Sequence, residues 1–179
     1  MHTLNALESF IATWLVHNKD ALPGIEFDPQ WPSLCYRDQN LKSGDMTSWQ
    51  PQKQTSPSDI FTRLGAALET DIHPDITAYY TSYWSNHLSA VAPAGDLVLL
   101  QVWNEEDMER LRANLIGHCV TKIKQKQPLS LFFACTEPDD GILTLRNDDG
   151  TIWLEYPGKK PVKQIADNLP AFLSQLKPR

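Results

Sequence analysis

Apolar residues recur every three or four positions at Leu4, Leu7, Phe10, Ile11, Trp14 and Leu15, a spacing that predicts a helix over residues 4–17. From residue 20 to 57 the periodicity is lost. Pro23-Gly24, Pro29, Pro32, Pro51 and Pro57 punctuate short stretches such as Leu34-Cys35-Tyr36 and Thr47-Ser48-Trp49, so loops and short edge strands are expected there. Ser56-Pro57-Ser58-Asp59 reads as the start of a second helix with Ile60, Phe61, Leu64, Ala67 and Leu68 on its apolar face. His73-Pro74-Asp75 opens a third, carrying Ile76, Tyr79, Tyr80, Tyr83 and Trp84 at helical spacing. That aromatic stripe has two readings, a core-facing surface or a contact surface for a partner, since tyrosine and tryptophan are rich in both places.

Strand patterns follow. Residues 87–92 and 96–103 flank Pro93-Ala94-Gly95, and the second run, Leu97-Val98-Leu99-Leu100-Gln101-Val102-Trp103, is apolar on both faces, as a covered central strand would be. Asn104 then caps the clearest helix of the chain, predicted to reach residue 124, with Asp107 completing a capping box and Met108, Leu111, Leu115, Ile116, Val120 and Ile123 along one side. Residues 129–136, 142–147 and 151–156 are separated by Asp139-Asp140-Gly141 and Asp148-Asp149-Gly150, which predicts a three-stranded meander. A terminal helix over 169–177 closes the pattern. The expected fold is α+β, a single domain over 1–179 with helices packed on a mostly antiparallel sheet.

Charge adds a feature that periodicity does not show. Of the formal net charge of -6, the whole surplus lies in residues 1–103, with eleven acids and five bases, against eleven of each in 104–179. Between Leu64 and Glu109 there is no lysine or arginine, yet the stretch holds Glu69, Asp71, Asp75, Asp96, Glu105, Glu106, Asp107 and Glu109. Folded onto one face, such a segment favours a cation-rich partner over nucleic acid or anionic lipid. Helix chemistry explains part of it. Glu105, Glu106 and Asp107 suit the positive end of a helix macrodipole, with Glu106–Arg110 and Glu109–Arg112 as intrahelical pairs. Glu69, Asp71 and Asp75 have no such local explanation and are the stronger candidates for a partner surface. The basic groups Lys122-Lys124-Lys126 and Lys159-Lys160-Lys163 lack interleaved aromatics, which argues against nucleic-acid binding.

Candidate chemistry is sparse. Cys35, Cys119 and Cys135 are odd in number and sit in apolar surroundings, which suits buried thiols of a reducing compartment. His118-Cys119 are helix neighbours that point in different directions, so they form no nucleophile pair. No zinc spacing, calcium-loop spacing, phosphate-binding loop or nucleophile elbow is present, and no metal or cofactor is expected. The N-terminus lacks a basic region followed by an apolar run, and no window approaches a membrane span, so any membrane association is expected through a partner.

A resemblance is carried by Gln101-Val102-Trp103-Asn104-Glu105-Glu106-Asp107, continuing through Asn114-Leu115-Ile116-Gly117-His118-Cys119-Val120-Thr121. These residues resemble the signature stretch of the Syd family, the SecY-interacting proteins of Gram-negative bacteria. Pro32-Ser33-Leu34-Cys35, Trp49-Gln50-Pro51, Ile72-His73-Pro74 with Tyr79-Tyr80-Thr81, and the ending from Asn168 to Pro178 resemble family segments in the same order. Residues 38–46 and 139–156 match least well. The resemblance implies a non-enzymatic cytosolic protein that docks on cytoplasmic loops of the translocon subunit SecY, is loosely held at the inner membrane through that contact alone, and acts in regulation or quality control of the channel. An acidic surface of Glu69, Asp71, Asp75, Glu105, Glu106 and Asp107 would complement loops enriched in lysine and arginine. The fold also resembles the wider SUKH group, whose immunity proteins neutralise toxins. That gives an alternative binding function, and a thiol hydrolase using Cys35 or Cys119 is the third class.

Overall fold

The computed structural model describes residues 2–138 and 140–179. Five helices surround a seven-stranded antiparallel sheet: α1 (Thr3–His17), α2 (Ile60–Leu68), α3 (Pro74–Tyr80), α4 (Glu105–Lys124) and α5 (Leu169–Leu173). The sheet runs in the order β10 (Lys163–Ala166), β9 (Ile152–Glu155), β8 (Ile142–Arg146), β7 (Ser130–Glu137), β6 (Gly95–Leu99), β5 (Leu88–Ala92), β11 (Lys177–Pro178). Two small ribbons lie outside it, β1 (Gly24–Glu26) with β2 (Met46–Ser48), and β3 (Gln52–Lys53) with β4 (Tyr83–Trp84). The α+β class and the C-terminal meander β7-β8-β9 are as the pattern predicts. Asp139, in the first of the two aspartate turns, lies outside the described residues. In the second, Gly150 holds φ at +72°, and a β-carbon there would come within 2.6 Å of His73 Nε2, so both conformation and space require glycine.

Register assigns the two sheet faces. Leu131, Leu145 and Ile152 align on one, with Leu143 beside Leu154, Ala134 beside Leu99 and Ala90 beside Leu97. This face is covered by α5, whose Phe172 lies 5.7 Å from the Phe133 ring and lines one cavity with Leu97, Leu143 and Leu154, and by α1 and α3 packed alongside. Two buried tyrosines of α3 fasten it to the sheet margin, Tyr79 donating to the Leu100 carbonyl at 3.1 Å and Tyr80 to the Phe132 carbonyl at 3.0 Å. The opposite face carries Ser130, Thr144 and Glu155, and α4 lies across it.

Several expectations are corrected. The third helix stops at Tyr80, and Tyr83 and Trp84 instead pair with Lys53 and Gln52. Ile76, Tyr79, Tyr80 and Tyr83 are core, which settles the stripe in favour of packing, while Trp84 stays half-buried. The long strand over 96–103 ends at Leu99, after which Val102 makes a parallel bridge to Trp84. On α4 the buried line runs Met108, Leu111, Leu115, Cys119, Lys122, whereas Val120 and Ile123 face outward, Ile123 being 52% exposed. Leu4 is likewise exposed on α1. The terminal helix ends at Leu173, and Lys177 and Pro178 return as β11 against Val91 and Ala90. Strand β10, which pairs with β9, has no counterpart in the sequence reading.

Candidate functional site

The capping box of α4 is built in a shifted form. Asn104 Oδ1 accepts from the Asp107 amide at 2.8 Å, and Asp107 Oδ2 accepts from the Trp103 amide at 2.9 Å, one residue before the cap. Asn104 Nδ2 and the Trp103 carbonyl also hold the loop over 31–36, through Pro32 O at 2.9 Å and Ser33 Oγ at 2.7 Å. Two shallow clefts meet at this point and share Trp84 and Glu105. One adds Gln54, Asp59 and Met108, and the other adds Leu34 and Trp103. Leu34 is 70% exposed at the rim. Gln54 donates to the carbonyls of Tyr80 and Tyr83 at 2.9 and 3.0 Å, and its Oε1 is buried with no donor among the described residues.

The six acidic candidates divide by what already holds them. Glu69, exposed, ends α2 in a left-handed conformation with φ 52° and ψ 40°. Gly65 permits that ending, because a β-carbon would come within 2.6 Å of the Thr70 carbonyl. Asp71 is exposed, and only its backbone is held, its carbonyl accepting from Asn147 Nδ2 at 2.8 Å while Asn147 Oδ1 accepts from the His73 amide at 2.9 Å. Asp75 is half-buried and accepts from the Thr3 hydroxyl at 2.6 Å. Glu105 and Glu106 are exposed in the first turn of α4, and Asp107 is committed to the cap.

The two trios do not form one patch. Glu105 lines a cleft with the start of α2, and Glu69 stands at its end, a helix length of about 13 Å away. Nor is the base-free stretch without counterions in space. Arg63, one residue before it, pairs with Glu109 and with Asp59 at 2.9 Å; Arg112 pairs with Glu109 at 3.1 Å, and Arg179 with Asp96 at 2.6 Å. These guanidiniums, Arg63 first, hold the Glu109 carboxyl below its ordinary range. Arg110 lies over the Trp31 ring at 4.0 Å rather than on Glu106. Glu69, Asp71, Glu105 and Glu106 remain without an ion-pair partner among the described residues. The bonds from Asn147 also bring the next residue, exposed Asp148, to the Asp71 corner.

A second arrangement was invisible in the sequence. Under α4, buried Lys122 forms an ion pair with buried Glu155, whose other oxygen accepts from Ser130 Oγ at 2.9 Å and Thr144 Oγ1 at 2.8 Å. His118 Nε2 sits 3.1 Å from the same Ser130 hydroxyl, edge-on to Phe132. Ser130 thus lies between histidine and carboxylate, so the imidazole has no carboxylate behind it to activate a nucleophile. Burial pushes the Cys35 and Cys119 thiols up to about 11, opposite to what a reactive thiolate needs. Among the described residues no group of three His, Cys, Asp or Glu side chains could hold a metal ion, and no helix is long and apolar enough to cross a membrane.

Burial also holds the His118 pKa below its ordinary 6.5, outweighing the attraction of Glu155. The unfolded chain therefore takes up the proton first. The stability contributed by neutral His118 is complete above pH 6.5 and is lost as pH falls through the lower folded value. Urea midpoints of the wild type are expected to fall, relative to those of His118→Gln, as pH drops below 6.5. Parallel pH profiles for the two proteins would contradict this assignment.

Fold and site together define an α+β protein that presents charged surfaces and, among its described residues, neither a metal cluster nor an activated thiol. The family profile described as Syd protein (SUKH-2) matches residues 4–178, and the chain belongs to that family. It is 41% identical over 172 residues to Protein Syd of Alteromonas mediterranea, spanning 96% of this chain and 94% of that protein. It is 41% identical over 155 residues to Protein Syd of Pseudoalteromonas atlantica, spanning 86% and 83%, and 38% identical over 183 residues to Protein Syd of Shewanella frigidimarina, spanning 99% and 83%.

Proposed function

We propose that this chain, folded as one domain, is a non-enzymatic cytosolic binding protein. Its partner is the translocon subunit SecY, met at basic cytoplasmic loops. The docking surface is the acidic pole around Trp84 together with the Glu69–Asp71 corner, and the contact serves regulation or quality control of the channel. It would place the protein at the cytoplasmic face of the inner membrane. The observation that carries the reading is the set of exposed carboxylates left without counterions, Glu69, Asp71, Glu105 and Glu106, which complement lysine- and arginine-rich loops. The half-buried Trp84 and exposed Leu34, which line a cleft with Glu105, give an apolar anchor. The family description, which carries the SUKH label, favours one second reading, a toxin-neutralising immunity protein.

Association rates with SecY-containing vesicles test the proposal. Glu69→Lys with Asp71→Lys is expected to slow association by about tenfold at low salt and to flatten its salt dependence, because exposed charges act mainly on encounter. The unfolding midpoint should not change. Glu105→Lys with Glu106→Lys slows association too, and lowers stability by about 1 kcal/mol, since it sets cations at a helix N-terminus. If both pairs associate like wild type at every salt concentration, acidic docking is wrong. Tight capture of a soluble toxin with indifference to SecY would replace it by the immunity reading.

A further inference from the structure

The carboxylates of the acidic pole are mirrored at the far end of α4. The helix is 20 residues long, so Glu105 and Lys124 stand about 30 Å apart along its axis. Between Arg110 and Thr136 the chain has no carboxylate, and between Tyr156 and Ala166 it again has none, while the two stretches carry eight bases. The fold joins them. Gln125 Nε2 donates to the Gly158 carbonyl at 2.9 Å, and the Val162 amide donates to the Leu154 carbonyl at 2.8 Å. That register sets Val162 opposite Glu155, the carboxylate on which Lys122 rests.

Not every base belongs to the surface so formed. Arg110 lies over Trp31 and Arg112 pairs with Glu109 in the first half of α4, Lys122 is buried in its ion pair, and Lys163 aligns with Leu154 on the opposite face of the sheet. Lys124, Lys126, Lys159 and Lys160 remain, all exposed and none in an ion pair among the described residues. Beside them in the chain Ile123 is 52% exposed and Val162 58% exposed, aliphatic side chains able to enter an apolar boundary.

We infer that this basic end of α4 and the β9–β10 loop is a contact surface for an anionic lipid bilayer, with the lysines at the phosphates and Ile123 and Val162 at the boundary of the acyl chains. The chemistry selects lipid over nucleic acid. Groove and strand recognition uses guanidinium forks and aromatic platforms, whereas the cations here are all lysine and the exposed apolar groups are aliphatic. The nearby Tyr156 ring lies 5.7 Å from the Lys159 ammonium. Four lysines give a weak and salt-sensitive hold, and stable residence needs a second signal. An acidic pole engaged with a protein of the same membrane would supply one, by raising effective concentration. Such a contact would add to the indirect membrane association that the sequence leads one to expect. The inference does not depend on what binds the acidic pole, and its test contains no protein partner.

The full chain is cosedimented with vesicles of phosphatidylglycerol and phosphatidylethanolamine, and with vesicles of phosphatidylcholine, at low and raised salt. Binding to the anionic vesicles only, released by salt, is expected. A lysine near an anionic surface is worth about fivefold in partitioning, so Lys124→Glu, Lys126→Glu, Lys159→Glu and Lys160→Glu together lower it by about two orders of magnitude or more. The loop pair Lys159→Glu and Lys160→Glu alone causes part of that loss with an unchanged unfolding midpoint. Ile123→Ser with Val162→Ser weakens binding and leaves the salt slope as it was. Equal binding to both vesicle types, wild-type partitioning of the fourfold variant, or tighter binding of duplex DNA than of anionic vesicles at the same salt would each overturn the inference.

Discussion

Leu115→Ala is expected to lower the unfolding free energy by about 2–5 kcal/mol, read from the urea midpoint at constant slope. Leu115 is 0% exposed at the middle of α4, a helix that packs against β7 and α2. Removing its branched end leaves a cavity that neither the sheet nor the second helix can close, which is why the cost exceeds the simple transfer of lost methyl groups. Ile123→Ala, two turns later on the same helix, is the internal comparison. It changes stability by less than about 0.5 kcal/mol, as surface substitutions do. Equal effects at the two positions would mean that α4 meets the sheet by another face.

Breaking the buried pair is the second large effect. Glu155→Leu leaves the Lys122 ammonium buried with, among the described residues, only the Gln127 amide oxygen, 3.1 Å away, and strips Ser130 and Thr144 of their acceptor. A loss of about 3–5 kcal/mol is expected. Lys122→Met costs less, because Glu155 keeps two hydroxyl donors when its cation is removed. The double variant recovers a large share of either loss, since a buried pair gains little over well-packed apolar groups. A double-mutant cycle over the four proteins measures the coupling, and additive losses would show that the two side chains do not act as a pair.

The same residues explain what sequence could and could not disclose. The start of α4 was legible because capping is local: Asn104, Asp107 and Met108 lie within one turn. Its second half is not legible from apolar identity, because angle and not residue type sets the buried line. Continuing from Met108, Leu111 and Leu115 by helical steps gives Cys119 and Lys122, and a lysine does not read as core until its partner is known. That partner, Glu155, comes from a strand beyond two hairpins. The acidic stretch divides in the same way. Arg112 pairs with Glu109 as their spacing predicts, whereas Arg63 and Arg179 reach Glu109 and Asp96 across the fold, Arg179 from the last position of the chain. Tyr83 and Trp84 kept helical spacing, yet their backbone pairs with β3, a tertiary choice that two residues of β-ribbon cannot announce. Asp-Gly turns, in contrast, carry their own geometry, and the Asp148 turn folds as read.

Asn147 grips the Asp71 segment by its main-chain carbonyl and the His73 amide, leaving the Asp71 carboxylate out of the bond. Path and charge at that corner are therefore independent variables. The loop keeps its course whatever side chain stands at position 71, so its affinity for one kind of surface can be exchanged for another by a single substitution without rebuilding the scaffold. If the corner docks a partner as proposed, it can be retuned as quickly as that partner changes.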